Sequence, residues 1–146
     1  GGDMLKTVSV ESEMGEGFAI TTQLGDHQIF IDQPVNAKGS GLGPTPLQML
    51  LFAVGGCIAT IARIAAFQQK IVLRGMKIKV DGDYNPEALM GKPTADRAGF
   101  QQIRISAEID ADLNAEQKQR FLDEVCARCP LHDNLLNGTV VNHQLA

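Results

Sequence analysis

The residues with the most chemistry to offer are three cysteines, Cys57, Cys126 and Cys129, and a histidine close behind them, His132. Thiols act as thiolates, which attack electrophilic centres or ligate soft metals. Cys126, Cys129 and His132 together read CxxCxxH, a donor set zinc would accept. A structural zinc site takes four ligands, however, and no second pair is present, so no metal is expected. A Cys126–Cys129 redox pair is disfavoured as well: a thioredoxin-like CxxC opens a helix, whereas this one straddles a helix end. Cys126 also fits an apolar helix face, where cysteine packs as a small hydrophobe. Cys57 with Cys129 would supply what peroxide reduction needs, one thiolate to attack the O–O bond and a second thiol to resolve the sulfenic acid as a disulfide. Cys129 with His132 suggests instead a nucleophile for acyl transfer. The bland alternative for His132 is a partly exposed helix residue.

Two kinds of element must position these groups. Cys57 lies in the longest apolar run of the chain, Thr45 to Lys70. Leu47, Leu50, Leu51, Val54, Ile58, Ile61, Ile64 and Ala65 recur there at helical spacing, while Phe52, Ala53, Ala59, Ala62, Ala66 and Phe67 fill much of the other face. A helix apolar nearly all round is expected to be buried. Gln48 near its start and Arg63 within it argue against a membrane span, since the uncharged run falls short of about 20 residues. Gly55 and Gly56 leave bare backbone beside Cys57, suited to close helix packing or to a ligand. Mid-helix burial by itself raises a thiol pKa, so a reactive Cys57 requires a polar partner. Cys129 precedes Pro130, which disfavours helical geometry at Cys129. A helix from Ala115, capped by Asn114, must therefore end near Arg128, and Cys129 becomes the N-cap of a short helix from Pro130 to Leu136. There the positive helix end and free amides favour a thiolate.

The remaining segments read as strands and loops. Met4–Glu13 alternates and reads as a strand; Phe18–Leu24 and His27–Asp32 read as a hairpin turning at Gly25-Asp26. Gln33–Pro44 is a glycine-bearing loop that lacks the Lys-Ser/Thr ending of a phosphate cradle. Thr45 reads as the N-cap of the long helix and Pro46 as its first residue. Gly75 reads as a C-terminal cap signal, followed by strands Met76–Asp83 and Phe100–Asp110 around a long loop, and a last strand at Val140–Gln144. Strands, a buried helix, further strands and a helix pair make an α+β domain over residues 4–146.

The chain has 146 residues, a net charge of −4 and no Trp. No basic cluster suggests a nucleic acid or an anionic membrane as partner. An odd number of cysteines argues against a secreted disulfide framework, and no signal peptide is visible, so a reducing, cytoplasmic setting is expected. Gly1, Gly2 and Asp3 read as an expression-tag remnant.

Two stretches, PTPLQMLLFAVGGC and RCPLHDNLLNG, together resemble the OsmC/Ohr family of hydroperoxide-related proteins, its GGC-motif branch in particular. The resemblance runs from Met4 nearly to the end. It implies an OsmC-like fold, with antiparallel sheets wrapped around a long central helix in an intertwined homodimer. It also implies Cys57 as the peroxide-attacking cysteine and Cys129 as the resolving one, organic hydroperoxides as substrates, and a lipoyl-type dithiol as external reductant, with no bound cofactor. Gln48, His132, Gly55 and Gly56 would support the site. Two positions depart from the peroxidase pattern. Pro46-Leu47-Gln48-Met49 stands where a Pro-Glu-Glu-Leu-like start is typical, with Gln48 at the second acidic place. No Arg precedes Arg63, leaving Lys6 or Lys38 as substitutes without the planar fork of Arg. The expected function is thiol-dependent hydroperoxide reduction in stress defence. The alternatives are a non-catalytic module binding a small hydrophobic ligand, and cysteine-based acyl transfer.

Overall fold

A computed structural model describes residues 4–146, which form two compact units dividing after Leu50, inside the long helix. Gly1–Asp3, read as a tag remnant, lie outside the described residues.

The first unit is built on an antiparallel sheet of β1 (Glu13–Met14), β2 (Ile20–Leu24) and β3 (His27–Ile31), in that order. Leu24 pairs with His27 across the Gly25-Asp26 turn, where Gly25 takes φ +60°, a conformation open to glycine. Beyond β3, Asp32 is only 1% exposed, and its carboxylate accepts the N–H groups of Gln33 at 2.7 Å, Leu42 at 3.1 Å and Ser40 at 3.2 Å. The Leu42 N–H above all holds this carboxyl below its ordinary range, against the opposing effect of burial. The 33–44 loop is thereby drawn back onto the end of β3. Gly39 meets the Gln33 backbone and Gly43 the Phe30 backbone so closely that no Cβ would fit. The glycines of this loop thus serve close backbone approach.

The long helix, α1 (Pro46–Gln69), starts as the sequence suggests. The Gln48 N–H donates to Thr45 Oγ1 at 3.3 Å, and Gln48 Oε1 accepts from the Thr45 N–H at 2.9 Å, a reciprocal capping arrangement.

In the second unit α1 buries Val54, Ile58, Ala62, Ala65 and Ala66. Its other face is open: Phe52 and Phe67 are each 75% exposed and Ile64 42%. The expectation of an all-round buried helix is therefore met on one face only. By length and composition, with a mean hydropathy of 2.0 over 18 residues, α1 is long and apolar enough to cross a membrane, a test that core helices also pass. Five residues packed into a core with strands and a second helix mark it as the core helix of a globular fold. Lys70, not Gly75, closes α1: it takes φ 58°, and the Ile71 N–H donates to the Ala66 carbonyl at 2.9 Å. Gly75 instead opens β4.

Strands β4 (Gly75–Asp83) and β5 (Gln102–Asp110) form a two-stranded antiparallel sheet in continuous register from Gly75↔Asp110 to Asp83↔Gln102. Ile78, Val80, Ile105 and Ile109 turn to the core while Lys77, Lys79, Arg104 and Glu108 face out, the alternation expected of a half-buried sheet. Helix α2 (Ala115–Arg128) opens on a capping box between Asn114 and Gln117 and buries Phe121 and Val125. It ends at Cys129, and α3 (Pro130–Leu136) follows at once.

Two expected strands are corrected. Of Met4–Glu13, only Glu13 enters a ladder, and Val140–Gln144 enters none; Val8 is 91% exposed and Val140 88%. Alternation predicts a strand only where a neighbouring edge exists to pair with it, and this single chain offers these stretches none.

Candidate functional site

The second unit brings Cys57 and Cys129 together. Cys129 donates its S–H to Cys57 Sγ at 3.0 Å. Both are free thiols, about 1 Å short of the roughly 2.05 Å of a disulfide. Cys57 is half-buried on α1, one residue from the wholly buried Ile58. Cys129 is 0% exposed, and its backbone (φ −82°, ψ 118°) carries the chain out of α2 and into α3. Pro130 at the first position of α3 enforces that extended geometry, as its ring disfavours a helical residue before it.

The amides that open α3 reach both sulfurs. The His132 N–H donates to Cys129 Sγ at 3.4 Å, so His132 contacts Cys129 through its backbone. Burial first, and then the hydrogen bond and charge of Cys129, push the Cys57 thiol up; the Leu131 backbone N–H pulls the other way. No cationic side chain is among the groups acting on Cys57. Leu131 was invisible to sequence reasoning because its contribution is a backbone amide; only the Cys-Pro turn, which aims that amide, hinted at it.

The other expected site residues are placed as follows. Gln48 is exposed and engaged with Thr45. Gly55, on α1, faces β4, where a Cβ would find Val80 at 3.6 Å and Ile78 at 3.8 Å, an ordinary contact, so close packing does not require glycine here. Gly56 faces open space. His132 lines a cavity with Cys126. Cys126 is partly buried, and burial foremost pushes its thiol up. No set of three or more His, Cys, Asp or Glu side chains is placed to hold a metal ion among the described residues.

Chemically, the arrangement offers one accessible sulfur in contact with one inaccessible sulfur. A small electrophile can approach Cys57, and any oxidised Cys57 already touches a thiol able to condense with it. A fully covered Cys129 gives an acyl substrate no approach.

Comparison with known proteins finds relatives that match most of the chain. The sequence description of the OsmC-like protein family matches residues 38–144. A protein of Mycoplasma genitalium named hydroperoxide reductase is 26% identical over 136 residues, 93% of this chain and 91% of that protein. One of the same name from Mycoplasma pneumoniae is 25% identical over 132 residues, 90% of this chain and 89% of its own. The crystal structure of an OsmC-like protein from Mycoplasma pneumoniae superposes with a TM-score of 0.79 at 24% identity, covering 92% of this chain and 91% of that one.

Proposed function

The chain belongs to the OsmC-like protein family, and on that footing we propose that it reduces organic hydroperoxides through Cys57 and Cys129 in defence against peroxide stress. The observation that carries this reading is the 3.0 Å contact between an accessible and a buried thiol. The relatives named hydroperoxide reductase support it.

The Cys57 thiolate attacks the distal oxygen of the hydroperoxide. The O–O bond breaks, the alkoxide takes a proton and leaves as the alcohol, and Cys57 becomes a sulfenic acid. Cys129 then gives up its proton and attacks Cys57 Sγ as a thiolate; the S–S bond forms, the S–O bond breaks, and the hydroxide leaves as water with that proton. An external dithiol, of the lipoyl type, returns both sulfurs to thiols, so no bound cofactor takes part. A reducing compartment such as the cytoplasm suits this cycle.

The working form in this reading is a homodimer. Phe52, Ile64 and Phe67 form an uncovered apolar face on α1, and a second copy would bury it. No cation among the described residues acts on Cys57, and in this reading a second copy could supply one.

Non-reducing peptide mapping after one equivalent of cumene hydroperoxide tests the proposal. A Cys57–Cys129 disulfide, absent in Cys57→Ser, is the expected result; unmodified thiols overturn it. The upward-shifted Cys57 thiol favours one second reading, a non-catalytic module that holds a small hydrophobic ligand. Unreactive thiols together with a ligand retained through purification would establish that alternative.

A further inference from the structure

The peroxide cycle leaves one thiol without a role. Cys126 occupies the last turn of α2, and the Cys129 N–H donates to its carbonyl at 3.2 Å. A turn closed in this way holds its end Cα atoms within about 7 Å, which overlaps the span of about 4.4–6.8 Å that a disulfide bridges. Cys129 lies in the apolar core and Cys126 packs against it. The Cys129 charge adds to the burial that pushes the Cys126 thiol up, as expected of close neighbours.

Cys57 and Cys126 serve different spaces. Cys57 meets Cys129 from α1. Cys126 lines a cavity of about 440 Å³ together with Ile105, Leu122, Asp123 and His132, and neither Cys57 nor Cys129 is part of that lining. Once Cys57 and Cys129 are joined, Cys129 Sγ is covered, so an incoming dithiol can attack only Cys57, where the hydroperoxide also binds.

A CxxC that straddles a helix end is unlike a thioredoxin-like pair, yet the Cys126–Cys129 turn holds the two backbones within bridging range. We propose that Cys126 is a third redox thiol that takes the disulfide over from Cys57. The Cys126 thiolate attacks Cys129 Sγ; a Cys126–Cys129 bond forms, the Cys57–Cys129 bond breaks, and Cys57 leaves as a thiolate. The proton lost by Cys126 is matched by the one Cys57 takes up. Two electrons pass between sulfurs, and no outside oxidant or reductant is consumed. The external dithiol then attacks Cys126 in the open cavity, away from the hydroperoxide site. This rests on the peroxide reading for the physiological origin of the first disulfide.

The test starts from the disulfide itself. Protein is oxidised with cumene hydroperoxide or, in parallel, with diamide, and the Cys57–Cys129 form is isolated at pH 4, where exchange is arrested. It is returned to pH 8 without oxidant, and free thiols are labelled with N-ethylmaleimide over time and mapped. The expected result is label moving from Cys126 to Cys57 as a Cys126–Cys129 peptide grows in, about tenfold faster at pH 8 than at pH 7 because the attacking species is the thiolate. Cys126→Ser and Cys126→Ala should never expose Cys57 to label, and dihydrolipoamide should reduce their disulfide more slowly than that of the wild type. Label that stays on Cys126 at pH 8 overturns the inference. So does failure of both oxidants to join Cys57 to Cys129. If only diamide makes the disulfide and it then migrates, this inference stands and the peroxide reading falls.

Discussion

Cys129 lies against Cys57 at 3.0 Å, yet only Cys57 can be reached from outside, since Cys129 is 0% exposed. Two chemically identical side chains are thereby given unequal roles by burial. In the proposed cycle, attack on a substrate falls to Cys57, and resolution falls to the thiol that no substrate can reach.

This asymmetry predicts distinct failures for the two serine variants. Cys57→Ser should consume cumene hydroperoxide no faster than buffer does. Cys129→Ser should consume about one equivalent per chain and stop, with a sulfenic acid at Cys57 that dimedone traps. Intact mass after dimedone treatment checks both; equal turnover by Cys57→Ser and wild type would sink the assignment.

The pH dependence of Cys57 follows from its surroundings. Burial, then Cys129, raises its pKa above the ordinary thiol value, so the protonated form dominates at neutral pH. Below that pKa the alkylation rate of Cys57 should rise about tenfold per pH unit. Cys129→Ala removes the second of these causes and should shift the profile toward lower pH. Iodoacetamide labelling of Cys57 across pH 6–10, on the order of the usual thiol range, reads the shift directly.

Asp32 predicts an acid-side loss of stability in the first unit. Its folded pKa is depressed, chiefly by the Leu42 N–H. Its contribution is therefore fully present above the unfolded carboxylate pKa and disappears as pH falls through the folded value. Asp32→Asn should lower the unfolding midpoint at neutral pH and flatten the acid limb below about pH 4. The 33–44 loop should become the first site of limited proteolysis. Equal acid limbs for variant and wild type would contradict the role of this carboxylate.

The two faces of α1 predict two separable effects. Ile58 is 0% exposed, and Ile58→Ala should cost about 2–5 kcal/mol of folding stability by urea titration. Phe52 is 75% exposed, so Phe52→Glu should spare the fold of the chain. In the proposed homodimer it should weaken association by about tenfold to a hundredfold, the equivalent of about 1.5–3 kcal/mol for one buried Phe. Sedimentation equilibrium distinguishes the two; an unchanged dimer would show that this face is not the interface.

Much of the architecture is local and was legible in residue order. Thr45-Pro46 sets the start of α1, Asn114 with Gln117 sets the start of α2, Gly25-Asp26 turns the hairpin, and Pro130 forces the break at Cys129. Each works within a few residues, through a cap, a positive φ or a missing amide, so residue order suffices to predict it. Ladders obey a different rule. Leu5 to Val10 and Val140 to Gln144 alternate as strands do, yet pairing depends on an edge that residue order does not supply. Lys70 likewise takes the left-handed conformation expected at Gly75, and the Ile71 amide bonds the Ala66 carbonyl there.

The sequence by itself determined the helix starts, the turns and the identity of the reactive atoms: three thiols, a Cys-Pro turn and a long apolar helix. Tertiary structure decided which thiols meet, that Cys129 is covered while Cys57 is not, and that Cys126 opens onto a cavity of its own. Caps and turns depend on neighbours in the chain, whereas contact, burial and pKa depend on neighbours in space. For Cys57 those neighbours are Cys129 and the Leu131 amide, and they arrive only when α3 is brought against α1.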